Sequence, residues 1–349
     1  MQRITLTSLA ALDALPFDEV IDARSPSEYA EDHLPGAINL PVLDDLERAE
    51  VGTIYVQESR LRARKLGAAR VSRNVAQHLE TALADKPADY KPLIYCWRGG
   101  QRSGSFAMIL GQIGWQVGVL EGGWKTWRKL VQHALYEVPF PNPVLILDGN
   151  TGTAKTEILL RVAARGGQVI DLEGLARHRG SLFGLAPGDT QPSQKAFKSA
   201  LALAVSRLDP TRPVLLEAES NRIGQLRLPP SIWRAMQDAP RIKIDAPIDA
   251  RATWLTQAYS DIIADPDELR LRIDALAPFH AQATRAEWHQ LAEIQDFETL
   301  AARLMVEHYD PRYERTALRR ELANEVLKTE RLDDPALEAL AATLAARLG

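Results

Sequence analysis

The chain has 349 residues, 46% of them hydrophobic and 25% charged, and a formal net charge of −4. These values are typical of a globular protein with two domains, and they argue against a global basic field. With a single cysteine, no run of 18 apolar residues and no signal-peptide core, the sequence excludes an internal disulfide and predicts a cytoplasmic protein without a membrane span.

Short apolar segments alternate with helical segments over residues 1–137, which predicts an α/β domain with a parallel sheet. A helix is expected to begin at residue 27. The predicted strands are residues 19–22, 37–40, 93–95 and 117–120.

The only cysteine, Cys96, follows the predicted strand 93–95 and opens a segment with two glycines and two arginines, Arg98 and Arg102. Backbone N–H groups at the start of the next helix, together with these arginines, favour an anion and would lower the pKa of the thiol. Cys96 is therefore predicted to be a nucleophile, with Arg98 and Arg102 stabilising negative charge beside it. A buried structural cysteine is the alternative.

A proline-rich linker at residues 138–143 separates this region from a second one at residues 144–248. Four apolar runs there, separated by helical stretches, predict another parallel α/β domain. Residues 249–349 are almost wholly helical in pattern. The predicted strands of the second region are residues 144–147, 168–172, 213–216 and 241–244.

A phosphate-binding loop is predicted directly after strand 144–147. Gly149, Lys155 and Thr156 match the P-loop pattern, while Ala154 stands where the second glycine is expected. The loop amides and Lys155 would hold phosphate oxygens, and Ala154 is expected to keep a negative φ or to open the loop slightly. An ordinary strand-to-helix turn is the alternative. The predicted phosphate-binding residues are Gly149, Asn150, Thr151, Gly152, Thr153, Ala154, Lys155 and Thr156.

Further charged residues follow predicted strand ends of the second region, where ligands bind in open α/β folds. Arg177, His178 and Arg179 are predicted to contact phosphate groups, with a surface salt-bridge network as the alternative. Glu217 or Glu219 stands where the acidic residue of a P-loop protein would hold Mg²⁺ through water, or would fix a loop. No set of metal ligands is assigned.

Cys96 and Arg102 have a spacing found both in rhodaneses and in cysteine phosphatases. Tyr95 replaces the histidine that usually precedes the cysteine of a phosphatase, so a phosphatase is the weakest alternative. The rhodanese resemblance is carried by residues 22–29 and 33–41, which resemble the two opening signatures of that domain, and by residues 120–124, which resemble its closing one.

The chain as a whole resembles the tRNA 2-selenouridine synthase family, in which a rhodanese domain is joined to a P-loop domain. The resemblance implies an N-terminal rhodanese-like domain, then a P-loop NTPase-like parallel α/β domain with a helical C-terminal region. The P-loop of the family normally has Ser-Gly where this chain has Thr153-Ala154. The resemblance extends over about residues 4–240 and is carried further by residues 47–55, 95–105, 171–181, 191–195 and 217–220.

The resemblance implies an enzyme that acts on the wobble 2-thiouridine of certain tRNAs in two steps. Geranyl diphosphate first alkylates the sulfur, and selenium from selenophosphate then displaces the geranylthio group to give 2-selenouridine. Geranyl diphosphate and selenophosphate are the implied co-substrates, while a need for Mg²⁺ stays open. The implied partners are the tRNA anticodon loop and a selenophosphate supplier, with no DNA and no membrane.

In this scheme the phosphate loop binds the diphosphate of the geranyl donor, and Cys96 acts in the selenium step. Whether Cys96 carries covalent selenium stays open, and Trp97 is a candidate to stack on a base. The main alternative is a rhodanese-type sulfurtransferase with a regulatory, nucleotide-binding P-loop domain. An ATPase at the P-loop and a nucleotide-dependent binding module without chemistry at Cys96 are the others. The arginines predicted to dock tRNA in the helical region are Arg312, Arg315, Arg319 and Arg320.

Overall fold

The computed structural model describes residues 1–179, 184–185, 188–317 and 324–348. Its strands are β1 (Gln2–Ile4), β2 (Glu19–Asp22), β3 (Ile38–Asn39), β4 (Pro92–Tyr95), β5 (Gly118–Leu120), β6 (Val144–Gly149), β7 (Val169–Ile170), β8 (Val214–Glu217), β9 (Arg222–Ile223), β10 (Leu226–Arg227), β11 (Arg241–Asp245) and β12 (Asn324–Lys328). Its helices are α1 (Pro26–Glu31), α2 (Asp45–Gln57), α3 (Arg60–Glu80), α4 (Gln101–Gln112), α5 (Gly123–Gln132), α6 (Lys155–Ala164), α7 (Leu172–Ala176), α8 (Gln194–Ser206), α9 (Pro230–Asp238), α10 (Ile248–Ala258), α11 (Ser260–Ile263), α12 (Pro266–Asp274), α13 (Gln282–Glu293), α14 (Phe297–Leu304), α15 (Asp310–Ala317) and α16 (Asp334–Leu348).

The chain forms two compact units, and helix α8 belongs to the first of them although its neighbours in sequence belong to the second. Trp127 on α5 donates a hydrogen bond from Nε1 to the hydroxyl of Ser199 on α8 at 3.0 Å. Both side chains are buried, so this contact lies inside the first unit. The first unit comprises Met1–Val138 and Pro192–Arg207, and the second comprises Pro139–Gln191 and Leu208–Gly349.

The first unit contains a parallel five-stranded sheet in the order β1-β5-β4-β2-β3. β4 is its central strand, and Leu93, Ile94 and Tyr95 are fully buried there, as is typical of an apolar strand in a parallel sheet. The four strands predicted in this region are confirmed as β2 to β5. The pattern does not predict β1, because this edge strand has three residues and buries only Ile4.

The second unit contains another parallel five-stranded sheet, in the order β12-β11-β6-β8-β7. Its central strand, β6, leads into the predicted phosphate loop and then into α6. The four predicted strands are confirmed as β6, β7, β8 and β11. A short antiparallel pair, β9 and β10, lies outside this sheet.

The region predicted to be almost wholly helical contains a strand, which corrects that expectation. β12 pairs in parallel with β11 at the edge of the sheet. The following helix, α16, packs Leu337, Leu340 and Leu344 into the same cluster as Leu147 and Ile158. The end of the chain therefore completes the α/β core, and the sequence pattern misses this because the partner strand lies far upstream.

Helices α11 to α14 form a separate cluster within the second unit. Its core includes Ile262, Leu269, Trp288, Leu300 and Leu304. No helix of the described ranges is long and apolar enough to cross a membrane.

Part of the predicted surface falls outside the described residues. Among the arginines predicted to dock tRNA, this applies to Arg319, Arg320 and the side chain of Arg315. The same holds for residues 180–181 of one family-like stretch.

Candidate active sites

Cys96 lies at the carboxyl end of β4, where the chain turns into helix α4. Its Sγ accepts a hydrogen bond from the N–H of Gly100 at 3.3 Å and another from the hydroxyl of Ser103 at 3.2 Å. The residue is only 3% exposed. The turn therefore places two donors on a sulfur that is largely shielded from water.

The residues that resemble the closing rhodanese signature pack directly against this loop. Gly123 has φ +54°, and a Cβ there would lie 2.1 Å from the carbonyl oxygen of Cys96. Gly99 has φ +64°, and a Cβ there would lie 2.5 Å from the carbonyl oxygen of Leu120. Both positions require glycine, because the backbone is left-handed and another chain segment approaches closely.

The pKa of the Cys96 thiol lies below its ordinary value. Burial raises this pKa, but the hydrogen bonds of Ser103, the charge of Arg102 and the backbone N–H of Arg98 together outweigh burial. Because the thiolate is the nucleophilic form of cysteine, the loop favours the reactive state.

Arg102 is held by a buried carboxylate, Glu28, which is not among the sequence-predicted site residues. Glu28 Oε2 accepts a hydrogen bond from Arg102 at 2.6 Å and lies 3.0 Å from Nε of Arg48. Burial raises the pKa of Glu28, but Arg102 and Arg48 bring it below the ordinary value. Arg98, by contrast, has an exposed side chain. The capping-box pattern from Ser25 to Glu28 is the sequence signal, but it indicates a helix start rather than an ion pair.

Trp97 follows the cysteine and packs against Trp124, with ring centroids 4.5 Å apart.

Two carboxylates of the rhodanese-like region are fully buried. Asp22 begins the first rhodanese-like stretch, and Asp32 directly precedes the second. Asp22 accepts a hydrogen bond from the hydroxyl of Tyr95 at 2.7 Å, and Asp32 accepts one from Nε1 of Trp124 at 3.0 Å. Neither carboxylate is placed to protonate a leaving group, which argues against a phosphatase.

The phosphate loop, residues 149–156, is closed by its own lysine. Lys155 Nζ donates to the carbonyl oxygen of Gly149 at 2.9 Å and to that of Asn150 at 3.4 Å. Arg251 on α10 donates to the carbonyl oxygen of Thr151 from Nε at 2.8 Å and from a terminal nitrogen at 2.6 Å. Lys155 must therefore leave two carbonyl groups in order to reach a phosphate.

Ala154 has φ +57°, so the expectation of a negative φ at this position is wrong. The left-handed conformation costs an L-residue about 1–2 kcal/mol. The residue is 6% exposed, and its methyl group packs in the cluster that contains Leu147 and Ile158. Burying one such carbon contributes about 0.8 kcal/mol, so packing offsets part of the strain and the loop keeps the shape that a glycine would give it.

A cavity of about 750 Å³ lies beside the phosphate loop, within the second unit. Arg177, His178, Arg179 and Glu219 all border it together with the loop. The fold therefore brings these sequence-predicted residues to one place, whereas Glu217 is buried behind the loop.

The three basic residues of this cavity differ in their ion pairing, their charge and their exposure to solvent. Arg179 donates hydrogen bonds to both oxygens of Asp261, at 3.1 and 2.9 Å, which is the salt-bridge alternative for this residue. Burial lowers the pKa of His178, and the charge of Arg272 lowers it further, so the imidazole is neutral at pH 7. Arg177 is exposed at the end of α7. Of the three, Arg177 is the best placed to meet a phosphate group.

Three glutamates, Glu173, Glu217 and Glu219, influence one another's ionisation behind the loop. Burial and the charge of Glu173 raise the pKa of Glu217 to about 8. Burial and the charge of Glu219 likewise raise the pKa of Glu173 to about 8. Both carboxyl oxygens of Glu217 are buried without a hydrogen-bond partner among the described residues. A buried polar group in this condition is costly, which points to a partner from outside the chain.

The residues around the Thr156 hydroxyl fit Mg²⁺. This ion prefers oxygen ligands and keeps several waters, so a protein supplies few direct ligands. Thr156 and Glu217 would hold the ion together with phosphate oxygens, and Glu173, which accepts a hydrogen bond from Thr156 at 3.2 Å, would orient the hydroxyl. Among the described residues no group of three or more His, Cys, Asp or Glu side chains could hold a metal ion by itself. The sequence signal for Glu173 is its position just after strand β7.

The fold and the two loops define a rhodanese-like domain joined to a P-loop domain. Residues 6–130 match the rhodanese-like domain family, and residues 142–266 match the family described as the tRNA 2-selenouridine synthase AAA domain. A protein named tRNA 2-selenouridine synthase from Chromohalobacter salexigens is 36% identical over 341 residues, which cover 89% of this chain and 91% of that protein. The chain therefore belongs to the tRNA 2-selenouridine synthase family.

Two further proteins match a smaller part of this chain. A protein of the same name from Shewanella halifaxensis is 36% identical over 246 residues, which cover 69% of this chain and 65% of that protein. A crystal structure titled as the N-terminal domain of a putative ATP/GTP binding protein from Clostridium difficile 630 is 39% identical, with a TM-score of 0.31. That match covers 37% of this chain and 98% of the other.

Proposed function

We propose that this protein is a tRNA-modifying transferase that converts wobble 2-thiouridine into 2-selenouridine through an S-geranyl intermediate. The observation that carries the proposal is that one chain contains two different loops that combine N–H donors with a cationic side chain. One surrounds Cys96 with donors and Arg102, and the other combines backbone amides with Lys155. The two loops offer one site for each anionic co-substrate, selenophosphate and geranyl diphosphate.

In the first step the thiouridine sulfur attacks C1 of geranyl diphosphate, the carbon–oxygen bond breaks, and diphosphate and the N3 proton leave. The amides of residues 149–156, Lys155 and Arg177 stabilise the charge that develops on the departing diphosphate. When bound at Thr156 and Glu217, Mg²⁺ supplies further positive charge there. This scheme consumes no nucleotide, which distinguishes it from an ATPase at the same loop.

In the second step the selenium of selenophosphate attacks C2 of the base, geranylthiolate leaves, and hydrolysis releases phosphate. Alkylation prepares this step because a thioether sulfur can leave as a thiolate, whereas a thiocarbonyl sulfur leaves poorly. The exchange needs no oxidant, whereas storing the selenium on Cys96 as a perselenide would need one. We therefore place selenophosphate in the loop beside Cys96, where Arg102 and backbone N–H groups hold its charge.

Mass spectrometry of nucleosides from 2-thiouridine tRNA, incubated with geranyl diphosphate and selenophosphate, tests the scheme. The wild-type protein is expected to produce 2-selenouridine. Lys155→Ala is expected to leave 2-thiouridine unchanged, and Cys96→Ser is expected to accumulate the S-geranyl nucleoside, so each variant is the control for the other. Unmodified tRNA with the wild-type protein would contradict the proposal and favour the sulfurtransferase alternative.

A further inference from the structure

A second, apolar cavity lies beside the phosphate loop in the same unit. Its walls come mainly from helices α10, α11, α12 and α14 and are almost entirely carbon. Four residues border both this cavity and the larger phosphate cavity, namely Thr151, Leu255, Tyr259 and Tyr309. The two spaces are therefore neighbours that share one wall.

The shared wall is anchored to the phosphate loop. A Cβ on Gly152 of that loop would lie 3.0 Å from side-chain carbons of Leu255, so Leu255 packs directly on the loop backbone. Arg251, one turn earlier on α10, binds the carbonyl oxygen of Thr151 and pairs with Asp310 at 2.7 Å. A ligand that enters the apolar cavity beside Leu255 is therefore within reach of the phosphate loop.

The lining indicates which kind of ligand would fit. A nucleobase carries polar edges that need fixed hydrogen-bond partners when buried. A hydrocarbon chain needs none and gains free energy from contact with residues such as Leu300, Leu304 and Met305. The chemistry of the two adjoining spaces, phosphate loop and apolar walls, is that of an amphiphilic diphosphate ester.

We propose that this apolar cavity holds the hydrocarbon chain of a prenyl diphosphate whose diphosphate lies on the phosphate loop, with helix α14 limiting the length of the chain. This inference rests on the proposed function and adds the location of the prenyl group. The free volume of the cavity is about 70 Å³, against about 750 Å³ for the phosphate cavity. Unbranched or flexible side chains such as Met305 must therefore rotate to admit a ten-carbon chain.

The first test is the affinity of the full chain for inorganic diphosphate and for dimethylallyl, geranyl and farnesyl diphosphate, measured by calorimetry. Each methylene that becomes buried strengthens binding by about fourfold. Geranyl diphosphate is therefore expected to bind at least about tenfold more tightly than dimethylallyl diphosphate, and farnesyl diphosphate no more tightly than geranyl. Equal affinity for inorganic diphosphate and geranyl diphosphate would overturn the inference.

A pair of neighbouring alanines on α14 provides a matched comparison. Ala301 lines the apolar cavity, whereas Ala302 borders neither this cavity nor the phosphate cavity. Ala301→Phe is expected to weaken geranyl diphosphate binding at least about tenfold and inorganic diphosphate binding less than about twofold, because the ring would occupy the space of several methylenes. Ala302→Phe is expected to change neither affinity. Equal effects of the two variants on geranyl diphosphate would contradict the inference.

The outcomes separate the inference from the function on which it rests. If inorganic diphosphate binds and Lys155→Ala abolishes that binding, but the prenyl chain adds no affinity, the result supports the phosphate site and contradicts the apolar site. If the wild-type protein binds no diphosphate of any kind, the result contradicts both the proposed function and the apolar site.

A labelling experiment on the wild-type protein covers the case in which Ala301→Phe does not fold. A geranyl diphosphate analogue with a diazirine on its terminal carbons is expected to label peptides of α11, α12 or α14, and excess geranyl diphosphate should protect them. Labelling confined to other peptides would overturn the inference.

Discussion

The cysteine loop and the phosphate loop differ in how completely the protein itself satisfies their charged groups. Around Cys96 the sulfur has two donors, and Arg102 is fixed by a buried carboxylate. In the phosphate loop, Lys155 donates its hydrogen bonds to two carbonyl groups of the loop itself, and Glu217, behind the loop, has no hydrogen-bond partner among the described residues. For the anions proposed above, the first loop is organised before binding, whereas the second must exchange contacts on binding, which costs part of the affinity.

The largest effect is expected from removing the carboxylate that fixes the cysteine loop. Glu28→Ala leaves Arg102 and Arg48 without their buried partner, and breaking a fully buried pair costs about 3–5 kcal/mol. Because both arginines keep some access to water, the free energy of unfolding is expected to fall by about 2–3 kcal/mol. Urea unfolding of Glu28→Ala and of the wild type measures this difference in the free energy of unfolding.

The control for Glu28 is a surface ion pair of the same unit. Glu50 pairs with Arg70 and is 51% exposed, so Glu50→Ala is expected to cost less than about 1 kcal/mol. Equal losses for the two variants would contradict the view that Glu28 fixes the cysteine loop.

The next largest effect concerns pH and the glutamates behind the phosphate loop. The folded-state pKa of Glu217, about 8, lies above its ordinary value of 4.5. Its contribution to stability is therefore full below pH 4.5 and is lost as the pH rises through about 8. Glu217→Gln cannot lose a proton, so at pH 6 it is expected to be more stable than the wild type, on the order of 2 kcal/mol.

Urea unfolding of Glu217→Gln and of wild type at pH 4 and pH 6 measures that difference. The two proteins are expected to differ little at pH 4 and clearly at pH 6. Glu330→Gln, at an exposed position, should leave the pH profile unchanged. Parallel profiles for Glu217→Gln and wild type would show that Glu217 is not a buried, protonated carboxyl.

The features of this molecule that could be predicted from sequence are those that depend on neighbours in the chain. Strands β4 and β6 are apolar runs, each followed directly by the residues that carry its chemistry, so local sequence specifies strand, loop and helix together. Cys96 and Lys155 could be predicted to be site residues for the same reason. Their roles in the two chemical steps stay predictions until the nucleosides are measured.

The features that sequence does not reveal depend on residues far apart in the chain. Glu28 meets Arg102 across 74 positions, and the pairing of β12 with β11 joins segments separated by several helices. The packing of α8 on α5 likewise joins residues 72 positions apart. A short charged strand or a single glutamate carries no local signal for such a contact, because the free energy comes from the tertiary partner.

A smaller effect is expected from removing one donor to the sulfur of the organised loop. Ser103→Ala deletes the hydroxyl that bonds to Cys96, and this hydrogen bond is the first of the interactions that lower the pKa of the thiol. The pKa of Cys96 is expected to rise. A hydrogen bond to a charged group contributes about 1.5 kcal/mol, so alkylation by iodoacetamide at neutral pH should slow by roughly tenfold. Ser105→Ala on the same helix is the control, and equal rates for the two variants would exclude the hydroxyl as a cause of the low pKa.

The smallest effect is expected at Ala154, where three contributions nearly cancel. Ala154→Gly removes left-handed strain of about 1–2 kcal/mol, but it also loses a buried methyl worth about 0.8 kcal/mol and adds about 0.4–1 kcal/mol of unfolded-state entropy. The free energy of unfolding should therefore change by less than about 1 kcal/mol, and the affinity for inorganic diphosphate should change little because the loop already has the left-handed shape. A gain well above that value would show that core packing does not offset the strain, and a large rise in affinity would show that the methyl group distorts the loop amides.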